Sequence, residues 1–108
     1  MKIAKIITIL SLLSTFLYSS DNYSPQETVF RTYCWGCHHQ TATAFGPSFK
    51  QIAQTRTKDQ MMTHIMSPSS DYKQLGYKRS VMPSFGNTLS TKELNYIVDY
   101  IISCKDKK

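Results

Sequence analysis

The stretch Cys34-Trp35-Gly36-Cys37-His38 (CWGCH) decides the fold of this chain. Two thiols stand three positions apart, and an imidazole follows the second thiol directly. So compact a set of ligands is typical of a site that binds a metal ion or a prosthetic group. The rest of the chain is therefore expected to build the surroundings of residues 34–38.

The spacing C-x-x-C-H is the attachment signature of c-type haem. In this chemistry each thiol adds to one vinyl group of the porphyrin, so Cys34 and Cys37 would become thioethers. The residue after the second cysteine then falls beneath the iron, and His38 would supply an axial nitrogen. Gly36 suits the tight turn between the cysteines. The motif predicts one covalently attached haem c.

Three other uses of the paired cysteines stay open from the residues alone. A redox-active dithiol of the thioredoxin kind needs a strand followed by a helix, and no strand-like alternation is apparent. A zinc site needs two more ligands, for which Cys104 with His39 or His64 are candidates. A disulfide between residues three apart is geometrically awkward. The haem interpretation is favoured over these three.

The first twenty residues have the pattern of an export signal. Lys2 and Lys5 precede an apolar run that ends in serines at 19 and 20, as in a secretory signal peptide. The run is shorter than the roughly 20 residues of a membrane span, so an uncleaved N-terminal anchor is the less favoured alternative. We expect residues 1–20 to be a cleaved signal and residues 21–108 to form one periplasmic domain without stable membrane insertion.

Hydroxyl-capped starts predict three helices. Residues 24–27, 57–60 and 90–93 each place Ser or Thr three positions before Glu or Gln, the pattern of a capping box. Apolar residues at helical spacing follow each start. The last run predicts an amphipathic terminal helix, and Cys104 continues its apolar face.

The remaining segments predict loops around a ligand. One or two weaker helical turns are expected after Pro47, whereas residues 67–80 show no period. A domain of about 88 residues buries little apolar surface by itself, and long loops in it are expected only where they enclose a bulky group. The predicted fold is all-α, with three or four short helices and long loops wrapped around one haem.

Four features occur in a fixed order along the chain: CWGCH at 34–38, GPSF at 46–49, MPSF at 82–85 and a capped terminal helix at 89–101. In this order the chain resembles the small mono-haem c-type cytochromes of class I, over nearly the whole exported part. The resemblance implies the cytochrome c fold, in which the first and last helices cross beside the haem. Phe30 with Tyr96, Ile97 or Tyr100 are the candidates for that contact.

The resemblance also implies the second iron ligand, a methionine in the loop ahead of the last helix. Met82 occupies that place, outside any helical apolar stripe and next to Pro83, which stiffens the loop. Three other methionines lie at helical spacing and are predicted to fill gaps in the core: Met61, Met62 and Met66.

His64 is the main alternative to Met82, because two histidines also hold haem iron. His39 is expected to point away from the iron if His38 points toward it. The resemblance further implies that the backbone carbonyl of Pro47 accepts a hydrogen bond from the other ring nitrogen of His38. Such a bond holds the imidazole in one tautomer and strengthens it as a ligand.

Two protein ligands on the iron leave no open position for a substrate, so the sequence predicts an electron carrier and not an enzyme. We expect a quinol-oxidising complex as its donor and a periplasmic reductase or terminal oxidase as its acceptor. Two alternatives stay open. One is a haem enzyme or gas sensor with an open axial site, and the other is a haem subunit of a larger oxidoreductase complex.

The positive charge of the chain and its third cysteine indicate how it would interact with other proteins. The formal net charge is +6, and Lys73, Lys78 and Arg79 precede Met82, so an acidic docking surface on the redox partner is expected. Export separates the chain from nucleic acid. Cys104 is predicted to be a small, partly buried apolar residue in a monomer, with a disulfide-linked dimer as the alternative.

Overall fold

The structure is a computed structural model, and it describes residues 22–108. The predicted signal at residues 1–20 lies outside the described residues. The helices are α1 Pro25–Val29, which continues as a π-type turn over Phe30–Cys34, α2 Phe49–Thr55, α3 Lys58–Met66, α4 Pro68–Asp71 and α5 Thr91–Ser103. Residues 22–108 contain no strand, and the predicted all-α class is confirmed.

The predicted capping boxes at Thr57 and Ser90 are confirmed. In each, the hydroxyl accepts from the amide three residues on, and the side chain of Gln60 or Glu93 accepts from the amide of the cap residue. These contacts satisfy backbone amides that have no partner within the helix. The start of α3 and the start of α5 therefore lie where the sequence predicts them.

Only half of the predicted box forms at the start of α1. The hydroxyl of Ser24 accepts from the amide of Glu27 at 3.1 Å, but the carboxylate of Glu27 does not reach back. It lies instead 3.2 Å from a guanidinium nitrogen of Arg31. Arg31 stands one helical turn further on, and opposite charges at that spacing attract one another on a helix surface.

One predicted helical segment is confirmed, and another segment is more helical than predicted. The one or two turns expected after Pro47 form the seven-residue helix α2, which Ser48 caps by accepting from the amide of Gln51 at 3.1 Å. Residues 67–80 were predicted to be a loop throughout, and this is wrong for α4. Pro68 ends α3 and occupies the first position of α4, where proline is well suited. A helix of one turn is too short to show a periodic pattern of apolar residues in the sequence.

Helix α5 is the centre of the fold and packs against α1, α2 and α3. Its Ile97 and Val98 are 1% and 0% exposed. Phe30 stacks on Tyr100 with ring centroids 4.9 Å apart, so the predicted contact between the first and last helices is made, and Tyr100 is the partner. Cys104 is 0% exposed, so it is fully buried where partial burial was expected.

The prediction that all three methionines of α3 fill the core is wrong for Met66. Met61 is buried and Met62 is half-buried, whereas Met66 is 46% exposed. Five positions along a helix correspond to about 140° around its axis, so Met66 faces away from the side on which Met61 is buried. Among residues 22–108, none of the helices combines the length and the apolarity needed to cross a bilayer.

Candidate haem site

A cavity of about 400 Å³ opens beside the CWGCH stretch. Cys34, Cys37 and His38 line it, and so does Met82, which comes from the loop ahead of α5. Apolar side chains of α3 and α5 complete the wall, among them Met61, Ile65, Ile97 and Ile101. A largely apolar cavity with a few polar groups is typical of cofactor sites. The site therefore combines an apolar enclosure with thiol, imidazole and thioether groups.

The end of α1 presents the first thiol to this cavity. The helix widens over Phe30–Cys34, and the amide of Trp35 donates to the carbonyl of Phe30, five residues back, at 3.0 Å. The chain then turns tightly, because the amides of Cys37 and His38 both donate to the carbonyl of Cys34, at 3.2 and 2.9 Å. This turn brings both thiols and the imidazole to the same cavity.

Gly36 is not what makes that turn possible. The described glycine with a positive φ is Gly76, and a β-carbon built on Gly36 would meet nothing within 4 Å. Gly36 therefore suits the turn between the cysteines, as expected, but the turn does not require a glycine there. A residue with a side chain would fit there.

Gly46 is the glycine that the site requires. A β-carbon at this position would stand 2.4 Å from Cε1 and 2.8 Å from Nδ1 of His38. Its amide donates to the carbonyl of Cys37 at 2.9 Å, so the segment after the motif folds back over the imidazole. The sequence showed Gly46 only as part of the GPSF motif, without its contact to His38.

The imidazole of His38 is held from two sides. Its Nδ1 lies 2.8 Å from the carbonyl oxygen of Pro47, so a ring protonated at Nδ1 donates to that carbonyl. The ring centroid of Phe49 lies 5.4 Å away. Nε2 is then the nitrogen that carries the lone pair.

Burial controls the protonation of the site. It lowers the pKa of His38 from its ordinary value of 6.5, and nearby His64 lowers it further, whereas the hydrogen bond to Pro47 raises it. The imidazole is therefore neutral at pH 7, which is the form that binds metal. Burial, followed by repulsion from Cys37, raises the pKa of the Cys34 thiol from 9.0 to about 12.

Met82 and His64 both line the cavity, whereas His39 is exposed and lies outside it. Met82 is half-buried and contacts the apolar core. The Nδ1 of His64 lies 2.6 Å from a carboxylate oxygen of Asp71, a buried residue on α4. His64 is thus paired locally.

A polar group at the cavity wall was not predicted from the sequence. Arg56 donates to the carbonyl of Leu75 at 2.8 Å and lies over the ring of Tyr77, 5.7 Å from its centroid. The ring of His64 lies 5.8 Å from that of Tyr77. Gly76, with φ of 88°, provides the turn between Leu75 and Tyr77. No local pattern in the sequence connects these residues, because only folding brings them together.

The three rival uses of the paired cysteines find no support in the described part of the chain. Residues 22–108 contain no strand that could precede a redox-active dithiol. They also hold no group of three His, Cys, Asp or Glu side chains able to bind a metal ion. Cys34, Cys37 and Cys104 are free of disulfides.

A helical fold in which a CxxCH turn lies against an apolar cavity is typical of c-type haem proteins. Residues 21–101 match the family described as "Cytochrome C oxidase, cbb3-type, subunit III", and the chain belongs to this family. Its cofactor is accordingly a covalently bound haem c, and haem-based electron transfer is the activity that the family supports. No curated protein matches the chain, and no solved structure does.

Proposed function

We propose that this protein is an exported electron carrier whose haem is attached through Cys34 and Cys37 and ligated by His38 and Met82. One observation carries the proposal: these four side chains, from two distant parts of the sequence, line one apolar cavity. When bound, the haem supplies a one-electron couple between Fe(II) and Fe(III). The polypeptide supplies the ligands, their orientation and the exclusion of water.

His38 serves as the lower axial ligand in this proposal. The Pro47 carbonyl, 2.8 Å from Nδ1, orients the ring and increases the basicity of Nε2, as the outer partners of metal-bound histidines do. The close approach of Gly46 leaves the ring little freedom to rotate. These two neighbours hold the imidazole ready before the cofactor is attached.

Met82 serves as the upper ligand. Thioether and imidazole ligation together raise the reduction potential above that of two imidazoles. If His38 and Met82 both bind the iron, no open position would remain for a substrate or a gas, so the role of an electron carrier is favoured over that of an enzyme or gas sensor. Met82 is preferred to His64 because it lies in the loop ahead of α5, the place that the resemblance to the class I cytochromes implies for the second ligand.

Arg56 and Tyr77 give the cavity a polar side that matches the carboxylate groups of a haem. The Arg56 guanidinium is half-buried and keeps donors beyond the one used on Leu75, and arginine is well suited to bind carboxylates. We propose that these two residues bind the propionate groups, which are the carboxylates of the haem. This contact would neutralise the negative charge of the cofactor within the fold.

The rim of the cavity supports a docking role. Phe45 and Val81 line the cavity, yet they are 91% and 82% exposed. Lys73, Lys78 and Arg79 are exposed in the segment before Met82. An apolar contact beside basic side chains suits transient binding to an acidic redox protein. The donor would be a quinol-oxidising complex, and the acceptor a periplasmic reductase or terminal oxidase.

A second candidate follows from the description of the family. A protein similar to an oxidase subunit can be a haem subunit held permanently in a larger membrane complex, where Phe45 and Val81 would be buried against another chain. Purification separates the two candidates. A free carrier elutes as a haem-containing monomer, whereas a permanent subunit elutes with its partners after mild detergent extraction.

Optical spectroscopy of the protein purified from a periplasmic fraction tests the proposal. We expect covalently attached haem after denaturation in acid acetone, a low-spin spectrum in both redox states and a Met–Fe(III) charge-transfer absorption in the oxidised protein. Rapid binding of carbon monoxide to the reduced protein would instead indicate an open axial site, as in a haem enzyme or gas sensor. A colourless exported protein would contradict the proposal outright.

A further inference from the structure

The loop that carries Met82, residues 81–86, is fastened to the C-terminal end of α3. The amide of Phe85 donates to the carbonyl of Ile65 at 3.0 Å. The hydroxyl of Ser84 donates to the carbonyl of Met66. We call this pair of contacts the α3 clamp. Both acceptors belong to the last turn of α3.

The clamp uses carbonyls that a helix cannot satisfy by itself. The last four carbonyls of an α-helix lack partners within it, and the final helical bond at this end runs from the amide of Ser67 to the carbonyl of Thr63 at 2.9 Å. The carbonyls of Ile65 and Met66 therefore need outside donors. The Met82 loop provides them.

Helix α3 is a rigid base for this loop. Met61 and Ile65 are 4% and 7% exposed, and α3 packs against α5 at the centre of the fold. Phe85 also packs against the core, with its ring 6.3 Å from that of Tyr33. A displacement of the loop therefore requires loss of the clamp or movement of buried side chains.

The clamp lies close enough to Met82 to control its position. One residue, Pro83, separates Met82 from Ser84, and the proline ring restricts its own φ to about −65°. Little backbone freedom therefore remains between the clamp and the methionine. When Ser84 is held, the Cα of Met82 has few positions available.

Gly86 allows the loop to approach α3 this closely. A β-carbon at residue 86 would stand 3.0 Å from the carbonyl oxygen of Met66, the same oxygen that Ser84 binds. A side chain at residue 86 would therefore require a shift of the loop or of the helix end, at the oxygen that Ser84 binds.

We propose that Ser84 and Gly86 are positioning residues that keep the Met82 thioether over the haem iron. The inference rests on the proposed ligation by Met82. Neither residue touches the iron; both act through the position of the loop. They determine how readily an external ligand replaces the thioether.

The test is a titration of the oxidised holoprotein with imidazole, followed by loss of the Met–Fe(III) charge-transfer absorption. Ser84→Ala removes the donor, and we expect imidazole to bind about five- to tenfold more tightly, the effect of one hydrogen bond on the competing thioether. Gly86→Ala should shift the affinity in the same direction. Ser84→Thr retains the hydroxyl and should restore an affinity close to that of the unchanged protein.

Ser103→Ala is the matched control. The hydroxyl of Ser103 donates to the carbonyl of Tyr100 on α5 at 2.6 Å, so this variant also loses a hydrogen bond from serine to a helix carbonyl. Urea unfolding of each variant reports the general cost in stability. Ser103→Ala should lower stability without changing the affinity for imidazole.

The outcomes separate the inference from the proposed function. If the unchanged protein lacks the charge-transfer absorption, the ligation by Met82 is wrong. If the absorption is present but Ser84→Ala and Gly86→Ala bind imidazole as the unchanged protein does, the clamp does not position the ligand and the inference is overturned. An equal change in Ser103→Ala would also overturn it, because the effect would then follow stability alone.

Discussion

The imidazole of His38 lies so close to the backbone of Gly46 that a β-carbon there would stand 2.4 Å from Cε1. Real β-carbons do not approach other atoms to this distance, so a side chain at residue 46 requires the ring or the backbone to move. The ring is also bound to the carbonyl of Pro47 at 2.8 Å. Neither contact can yield without changing where Nε2 points.

Gly46→Ala is expected to disturb the proposed lower ligand. Displacement of the ring should decrease the yield of low-spin holoprotein and destabilise what remains by about 1–3 kcal/mol, the usual cost of overpacking. The ratio of haem absorbance to protein and the denaturation midpoint measure both effects. Gly36→Ala, in the same segment but with nothing within 4 Å of its β-carbon, should resemble the unchanged protein. Equal behaviour of the two variants would show that the close approach has no consequence for haem binding.

Met82→Ala should remove the proposed upper ligand. We expect loss of the Met–Fe(III) charge-transfer absorption and binding of carbon monoxide to the reduced protein. Met66→Ala is the control, because Met66 is an α3 methionine that is 46% exposed. It should keep the absorption and exclude carbon monoxide. Retention of the absorption in Met82→Ala would mean that another residue ligates the iron, and His64 would be the first candidate.

Phe30→Ala should be the most destabilising change at the junction of α1 and α5. The ring of Phe30 lies 4.9 Å from Tyr100 and 5.1 Å from Phe49 by centroids, and truncation of a buried phenylalanine costs about 3–5 kcal/mol. Chemical denaturation of the holoprotein measures this loss. Ile102→Ala, at a side chain on α5 that is 42% exposed and does not line the cavity, should cost about 1 kcal/mol or less. Similar losses in both variants would contradict the assignment of Phe30 to the core.

Tyr100→Phe tests one polar contact within that junction. The side-chain amide of Gln40 donates to the Tyr100 hydroxyl at 2.6 Å, and this bond ties the segment after the haem motif to α5. Its loss should cost about 0.5–1.5 kcal/mol, while the phenyl ring keeps its stacking on Phe30. A double variant with Gln40→Ala should then cost little more than either single change.

Cys104 should resist modification while the protein is folded. It is 0% exposed, and burial raises the pKa of its thiol above 9.0, although Lys107 and Ser103 oppose the shift. The thiolate is the reactive form. In the holoprotein we expect iodoacetamide at about pH 8 to label Cys104 only after unfolding, and we expect no disulfide-linked dimer on a non-reducing gel. Rapid labelling of folded protein would contradict the burial.

The raised pKa of the Cys104 thiol also predicts that the stability of the protein depends on pH. Because the folded pKa is raised, the unfolded chain loses the thiol proton first. The contribution of Cys104 to stability is therefore complete below about pH 9 and decreases as the pH rises above that value. Cys104→Ala should remove this alkaline decrease, as measured by urea unfolding between neutral and alkaline pH.

Charge reversal of the exposed basic residues should slow the encounter with a redox partner. Lys78→Glu with Arg79→Glu is expected to reduce the association rate about tenfold at low salt, and the difference should shrink as salt is added. Lys105→Glu with Lys107→Glu changes the net charge equally at positions that do not line the cavity. Equal slowing by both pairs would indicate an effect of net charge and not of a local surface.

The sequence by itself determined the chemistry and most of the helices. CWGCH predicts the haem because it is a local covalent requirement, and the hydroxyl caps at Thr57 and Ser90 predict helix starts because the capping partners lie within four residues. The order of CWGCH, GPSF, MPSF and the terminal helix was sufficient to predict a mono-haem c-type cytochrome. The one-turn helix α4 could not be predicted, since it is too short to show a period.

Tertiary structure alone decided the surroundings of the proposed ligands. Three contacts join residues that are far apart in sequence or that follow no periodic pattern. They are the contacts of Gly46 with His38, of Arg56 with Tyr77, and of Ser84 with the end of α3. Such pairs depend on how loops cross helix ends. The path of a loop across a helix end depends on unsatisfied backbone groups and on the space left by buried side chains. A local sequence motif predicts neither of these.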